Sequence, residues 1–235
     1  MAMAILDASY EIDTKSSAKI QAALSEDFWR ALSLFNQVYD IVELPKEKHP
    51  LKLFSQLGID QKLMDFIQRK NIYKRALGLM YLYELRLATN IQPFKENLSN
   101  ADKLVRREAM IGVVVYEGWK ILDYFYDIHY LISHWQQIRI IEKLKSYPKE
   151  PNINYLNKGL TSKNPTVIEL ILRVIFVFQV ESMYPVFLNE LLNEDEGVRS
   201  LAQDLGSQIT FPESVLQELD ENALKSYDSL KKPIL

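Results

Sequence analysis

One segment of this chain is written nearly twice. Residues 97–110 read NLSNADKLVRREAM, and residues 190–203 read ELLNEDEGVRSLAQ. Aligned on Val105 and Val198, both carry a leucine seven residues before the valine, an asparagine five before, an arginine one after and an alanine four after. A looser copy centred on Val167 lies 31 residues before Val198 and 62 residues after Val105. A fixed period of this size indicates one supersecondary unit repeated many times.

The amino-acid composition indicates that the repeated unit is made of helices. The chain has 235 residues, of which 48% are hydrophobic and 25% are charged, as in ordinary globular proteins. Seven glycines and nine prolines are too few for the turns that a many-stranded sheet needs. The chain contains no cysteine, which excludes disulfides and thiolate metal sites and fits a reducing compartment. We therefore predict an all-α, cytoplasmic protein.

The repeat predicts antiparallel helix pairs, in which the valine opens the second helix of each pair. Ile72 and Ala76 match Val105 and Ala109 at an offset of 33 residues, which adds an earlier pair. The second helices are predicted at 72–85, 104–118, 133–146, 165–179 and 198–209.

The two ends of the chain are predicted to be caps. Terminal units of a repeat stack have one face with no neighbour, so their sequences depart from the repeat. The predicted division is an irregular helical cap at 1–60, a repeat region at 61–210 and a C-terminal helical cap at 211–235.

The pattern L-x-N-x4-V-R-x2-A resembles the HEAT repeat. The resemblance implies a right-handed α-α superhelix of helix pairs, with the second helices lining its concave side. It also implies a polar ladder between neighbouring units, for which Arg106 and Arg199 match the donors. Where the family usually has aspartate, this chain has Asn100, Asn193 and, in the third copy, Ser162.

Two further stretches are similar to a bacterial subgroup of HEAT-repeat proteins. They are WQQIRIIEKL at 135–144 and LGIDQKLMDFIQRKNIYKRALGLMYLYEL at 57–85. Members of that subgroup often carry an N-terminal membrane anchor. No stretch of this chain approaches the roughly 20 apolar residues of a membrane helix. The resemblance therefore implies membrane association only through a segment outside this sequence.

The motifs of common enzymes do not occur in this chain. It has no P-loop, no G-x-G-x-x-G, no G-x-S-x-G and no H-E-x-x-H. His129 and His134 are five residues apart, a spacing that turns them away from each other on a helix. The acidic run from Glu194 to Glu196 is predicted to be a turn that favours the next helix N-terminus. We predict no catalytic residue, no cofactor and no metal.

Charge is unevenly distributed along the chain. Residues 66–110 hold nine basic and four acidic side chains, whereas residues 181–235 hold four basic and eleven acidic ones. Such polarity either keeps helical surfaces soluble or steers a partner. HEAT-like DNA glycosylases exist, so the basic segment leaves nucleic-acid binding as an alternative function. The overall pI of about 5.7 argues against it.

An aromatic segment at 116–135, YEGWKILDYFYDIHYLISHW, suggests a binding patch. Tyr124, Phe125 and Tyr126 are consecutive, so one helix face cannot bury all three rings. At least one ring should reach solvent or a groove, where tyrosine and tryptophan are typical binding residues. Ordinary core packing remains the alternative interpretation.

These observations favour a non-catalytic scaffold that binds another protein or peptide on a concave helical surface. The remaining alternative is the cytoplasmic part of a membrane-associated complex. Positions next to the buried valines that open the second helices are predicted to form a basic lane, and such a lane suits an acidic partner. The lane comprises Tyr73, Lys74, Arg106, Arg107, Gln136, Arg139 and Lys143, and it is edged by Trp135, Tyr126 and Tyr130.

Overall fold

The computed structural model describes residues 14–41, 51–147 and 150–211, together with positions 213, 225, 227 and 228. Every regular element in these residues is helical, which confirms the all-α fold class. The chain divides into two compact units, Met1–Tyr116 and Glu117–Leu235. Much of both predicted caps, at 1–60 and 211–235, lies outside the described residues.

The first unit is built around aromatic rings. Its helices are α1 (Thr14–Glu26), α2 (Phe28–Ile41), α3 (Leu51–Gln56), α4 (Ile59–Gln68), α5 (Ile72–Glu84), α6 (Gln92–Lys95) and α7 (Lys103–Glu117), the last ending at the unit boundary. The Trp29 ring centroid lies 4.7 Å from that of Phe66 and 5.9 Å from that of Tyr81. Phe94 packs on Gly112 so closely that a Cβ there would lie 2.1 Å from the ring. Glycine is therefore required where α6 meets α7.

The second unit is built around an apolar helix. Its helices are α8 (Ile121–Phe125), α9 (His134–Lys145), α10 (Ile153–Leu160), α11 (Pro165–Val177), α12 (Pro185–Glu190) and α13 (Glu196–Gly206). Helix α11 is buried on most sides, including Leu170, Ile171 and Val174, which are fully buried. The apolar sequence of this helix is therefore explained by its burial. Among the described residues, no helix combines the length and apolarity needed to cross a bilayer.

Five helices follow one register along the sequence. Helices α5, α7, α9, α11 and α13, here called the long helices, begin at Ile72, Lys103, His134, Pro165 and Glu196, so each begins 31 residues after the one before. The residues immediately before them are Asn71, Asp102, Ser133, Asn164 and Asp195. Each of these side chains accepts a hydrogen bond from a backbone N–H two or three residues later, as helix N-caps do. The 31-residue period therefore extends over five helices.

The turns before three of the long helices share a second contact. The backbone N–H of the capping residue donates to the side-chain oxygen two residues earlier, which belongs to Asn100 at 3.0 Å, Ser162 at 3.2 Å and Asn193 at 2.9 Å. These are the positions where the HEAT pattern has aspartate. A short polar side chain stabilises the turn there without needing a charge.

The register corrects one alignment made from the sequence. The spacing of the caps places Lys74, not Ile72, at the position equivalent to Val105. Ile72 is 39% exposed, so the 33-residue offset is wrong, although Ala76 is buried as expected. Ile72 was aligned with Val105 because it is apolar, whereas Lys74 is polar at a register position that is valine in three of the other four repeats.

The predicted core positions of the better repeats are confirmed. Val105, Ala109, Val167, Val198 and Ala202 have no exposed surface.

Candidate functional site

Arg106 braces the turn that precedes its own helix. Its Nη1 donates to the carbonyl oxygens of Asn100 at 2.6 Å and Ala101 at 2.8 Å, six and five residues earlier. Arg199 makes the same two contacts with the carbonyls six and five residues before it, at 2.7 and 2.8 Å. Arg75, one register earlier, donates to the carbonyl of Arg69 at 3.0 Å. The Val-Arg doublet therefore has a local structural role, which argues against Arg106 as a partner contact.

The remaining residues of the predicted basic lane divide between the two units. Arg107 is half-buried on α7 in the first unit, and Arg139 and Lys143 are half-buried on α9 in the second. Gln136 is 7% exposed, and its side chain completes a capping box with Ser133. The expectation that Gln136 faces a groove is therefore wrong.

The exposed face of α9 is a different stripe of side chains. Trp135 is 62% exposed and Ile138 is 36% exposed, and Glu142 and Lys145 are also exposed. These four residues are separated by three, four and three positions, so they lie on one side of the helix. Large apolar side chains at this level of exposure, aligned on one helix face, are typical of contact surfaces.

This stripe borders a groove formed by three long helices of the second unit. We call it the long-helix groove. It has a volume of about 270 Å³, and its apolar lining comes from Ile138 and Ile141 of α9, Phe176 and Val177 of α11, and Leu205 of α13. Val177 is 37% exposed, so the wall on α11 is accessible as well. Glu142, Lys145 and Arg173 supply its charged groups.

Arg173 is held in the groove by a buried glutamine. Its Nε donates to Oε1 of Gln137 at 2.9 Å, and Gln137 has no exposed surface. The Nε2 of Gln137 donates to the carbonyl oxygens of Ile132 (3.3 Å) and Thr166 (3.2 Å) and to Oε2 of Glu169 (3.0 Å). All the hydrogen-bonding groups of this side chain are therefore used, and they fix α9 to α11.

Burial lowers the pKa of the Arg173 guanidinium from its ordinary value, while the carboxylates of Glu169 and Asp204 oppose that shift. Removal from water disfavours the charged form, and the two acids compensate only in part. The guanidinium still carries its positive charge at neutral pH, because arginine is protonated well above that range. The groove therefore contains one fixed, partly desolvated cation.

The aromatic segment is partly exposed, as expected. Phe125 is buried, whereas Tyr124 is 36% exposed and Tyr126 is half-buried. The ammonium of Lys158 lies 5.1 Å from the centroid of the Tyr126 ring. Tyr130, also half-buried, belongs to the loop that leads to α9.

The loop at 126–133 is fixed by the turn before α11. Nδ2 of Asn164 donates to the carbonyls of Ile128 at 3.1 Å and Tyr130 at 2.9 Å, and Oγ of Ser162 donates to the carbonyl of Tyr126 at 3.0 Å. An open cleft of about 480 Å³ lies between this loop and that turn. Leu131, 69% exposed, projects from the same loop. The loop is thus an ordered neighbour of the Trp135 end of α9.

His129, His134 and the acidic run belong to no cluster of potential metal ligands in the described residues. His129 and His134 are both exposed, and no group of three or more potential metal ligands occurs in the part of the chain that the structure describes. Within the acidic run, Oδ1 of Asp195 accepts the N–H of Val198 at 3.1 Å, which makes it the N-cap of α13. The prediction that this run serves the helix N-terminus is confirmed.

Comparison of the chain with protein-family models, curated proteins and solved structures finds no match. Function is therefore inferred from the geometry of the long-helix groove.

Sequence reasoning missed Ile138, Val177 and Arg173 as groove residues, although the 31-residue period carried a signal for Ile138. Continuing the 31-residue period from Val105 reaches position 136, so Gln136 occupies the buried valine position. The polar letters at 136 and 137 concealed this, and Gln136 was therefore assigned to the lane.

Proposed function

We propose that this chain is a non-catalytic binding module, built as a right-handed solenoid of HEAT-like helix pairs, whose long-helix groove binds a segment of another protein. The observation that carries the proposal is the groove with its exposed apolar stripe. Trp135 and Ile138 expose apolar surface on the same face of α9, and Val177 does so on α11. Exposing the large apolar surface of a tryptophan to water is unfavourable in free energy, and association with an apolar partner removes that unfavourable contribution.

The shape of the groove fits an extended or helical segment. Its lining comes from side chains of three helices, so it presents apolar surface from several repeats. Such grooves accept an amphipathic segment that places one apolar side chain in each depression, in the manner of other helix-in-groove contacts. The HEAT resemblance, in which second helices line the concave side, supports the same assignment.

Site-specific crosslinking in the native host tests this proposal. A photoreactive amino acid is placed at Ile138, and, as a matched control, at Lys120, which is exposed in the same unit. We expect discrete protein crosslinks from position 138, with none of the same species from position 120. Trp135→Ala should remove them while leaving the melting temperature unchanged.

Two outcomes would contradict the proposal. Identical crosslinks from positions 138 and 120 would show that the groove has no special role. Crosslinks to nucleic acid alone would favour the alternative function suggested by the basic segment.

A further inference from the structure

We infer that the long-helix groove selects a partner segment that combines apolar side chains with a carboxylate, and that this carboxylate pairs with Arg173. The inference rests on the proposed function and specifies the chemistry of its partner. The apolar residues that line the groove would contact the apolar side chains of that segment.

The orientation of the Arg173 guanidinium carries the inference. Its Nε edge is occupied by Oε1 of Gln137 at 2.9 Å, and Gln137 is itself fixed because the two N–H groups of its Nε2 are shared among three acceptors. Arg173 lines the groove, and its two Nη atoms make no hydrogen bond to any residue that the structure describes. A guanidinium fixed along one edge presents its remaining donors as a preorganised fork, and a carboxylate matches that fork with two parallel hydrogen bonds.

The acids near the fork do not occupy its donors. Glu169 accepts a hydrogen bond from Gln137, and Glu169 and Asp204 act on the Arg173 guanidinium through their charge alone. Lys145 adds a second positive charge to the lining of the groove. A partner carboxylate would supply the two acceptors that the fork lacks, in a partly buried site where charge pairing is stronger than at an open surface.

The same surroundings favour a carboxylate over a phosphate group. Glu142 lies on the rim, and Asp204 and Glu169 are close to Arg173. A phosphoryl group carries nearly two negative charges at neutral pH and would meet this repulsion more strongly. The apolar lining also provides surface for aliphatic or aromatic side chains next to the acid. An acidic amphipathic segment satisfies both requirements.

Selection from a peptide library tests the inference. A phage-displayed library of random 16-residue peptides is selected on the full chain, and the strongest binder is synthesised with a fluorescent label. Its dissociation constant is measured for the parent, Arg173→Met, Arg173→Lys and the matched charge control Lys163→Met, an exposed lysine at the turn before α11. Peptide versions with each acidic side chain changed to its amide, or with an amidated C-terminus, show which carboxylate is used. Melting temperatures confirm that all variants are folded.

We expect enrichment of peptides that contain aspartate or glutamate beside leucine, isoleucine or phenylalanine. Arg173→Met should bind about tenfold more weakly or worse, Arg173→Lys should retain part of the affinity, and Lys163→Met should match the parent. Removing the matching peptide acid should cost nothing further in Arg173→Met, because the pair is already broken.

One outcome is that the selected peptide binds the Arg173→Met variant as tightly as the parent protein but binds the Ile138→Gln variant more weakly. That outcome would overturn the carboxylate pairing and leave the proposed function intact. Failure to select any peptide whose binding depends on Ile138 would overturn both. These two results are distinguishable because Ile138 contributes apolar surface only.

Discussion

Replacing Gln137 with leucine should destabilise the second unit substantially. The change keeps a similar volume but removes the contacts of Nε2 with three acceptors and the one hydrogen bond accepted by Oε1. Because the amide carries two N–H groups, the three acceptors share two donors, and the loss counts as about three hydrogen bonds. At about 1 kcal/mol of net stability per bond, the loss is about 3 kcal/mol, and added apolar burial by leucine offsets about 1 kcal/mol. We therefore expect the free energy of unfolding to fall by about 2 kcal/mol.

Urea unfolding followed by tryptophan fluorescence measures this loss. In a Trp29→Phe background, the remaining tryptophans, Trp119 and Trp135, both belong to the second unit and report its unfolding. Gln136→Val is the matched control, because valine occupies this register position at 105, 167 and 198. That variant loses the capping box but gains apolar burial, so we expect a change within about 1 kcal/mol. If Gln137→Leu were as stable as Gln136→Val, the assignment of Gln137 as the polar clamp between α9 and α11 would be refuted.

Three further predictions follow from buried groups. Val198→Asp should cost about 3–5 kcal/mol, because an unpaired charge would enter a fully buried position; a near-normal melting temperature would show that the repeat alignment is wrong. Gly112→Ala should cost about 1–3 kcal/mol through overlap with Phe94, and no loss in thermal unfolding would contradict that packing. Burial raises the pKa of Glu190, with the Asn193 hydrogen bond opposing it, so the folded state binds the proton more tightly than the unfolded state. The stability this confers is present below the unfolded pKa and is lost as pH rises through the folded value. Glu190→Gln should flatten that decline from about pH 4 upward, and an unchanged pH profile of unfolding would contradict the assignment.

The positions of the long helices were predictable because their signals are local. A capping residue, a short polar turn and apolar letters at helical spacing occur together in each repeat, and each signal acts within a few residues. The predicted starts of α5 and α11 agree with the structure, and the other three differ by one or two residues. The core valines followed from the same pattern.

The face of α9 that lines the groove was not predictable in the same way. Gln136 and Gln137 are buried by contacts with a capping serine and with a neighbouring helix, and sequence gives no direct sign of the latter. Arg173 lies in a mainly apolar helix, where its role depends on a glutamine 36 residues earlier. The burial of polar residues that pair across helices depends on how the helices pack in three dimensions. The hydrophobic period alone predicts that such residues lie on the surface.

The most direct test of the central claim compares two surfaces of the protein with one ligand. The dissociation constant of the strongest library-selected peptide is measured for the double variant Ile138→Gln, Val177→Gln and for the triple variant Arg107, Arg139, Lys143→Ala. Docking in the long-helix groove predicts that the double variant binds at least about tenfold more weakly, while the triple variant stays within about threefold of the parent. A double variant that binds like the parent, with the triple variant strongly weakened, would show instead that the partner uses the basic lane.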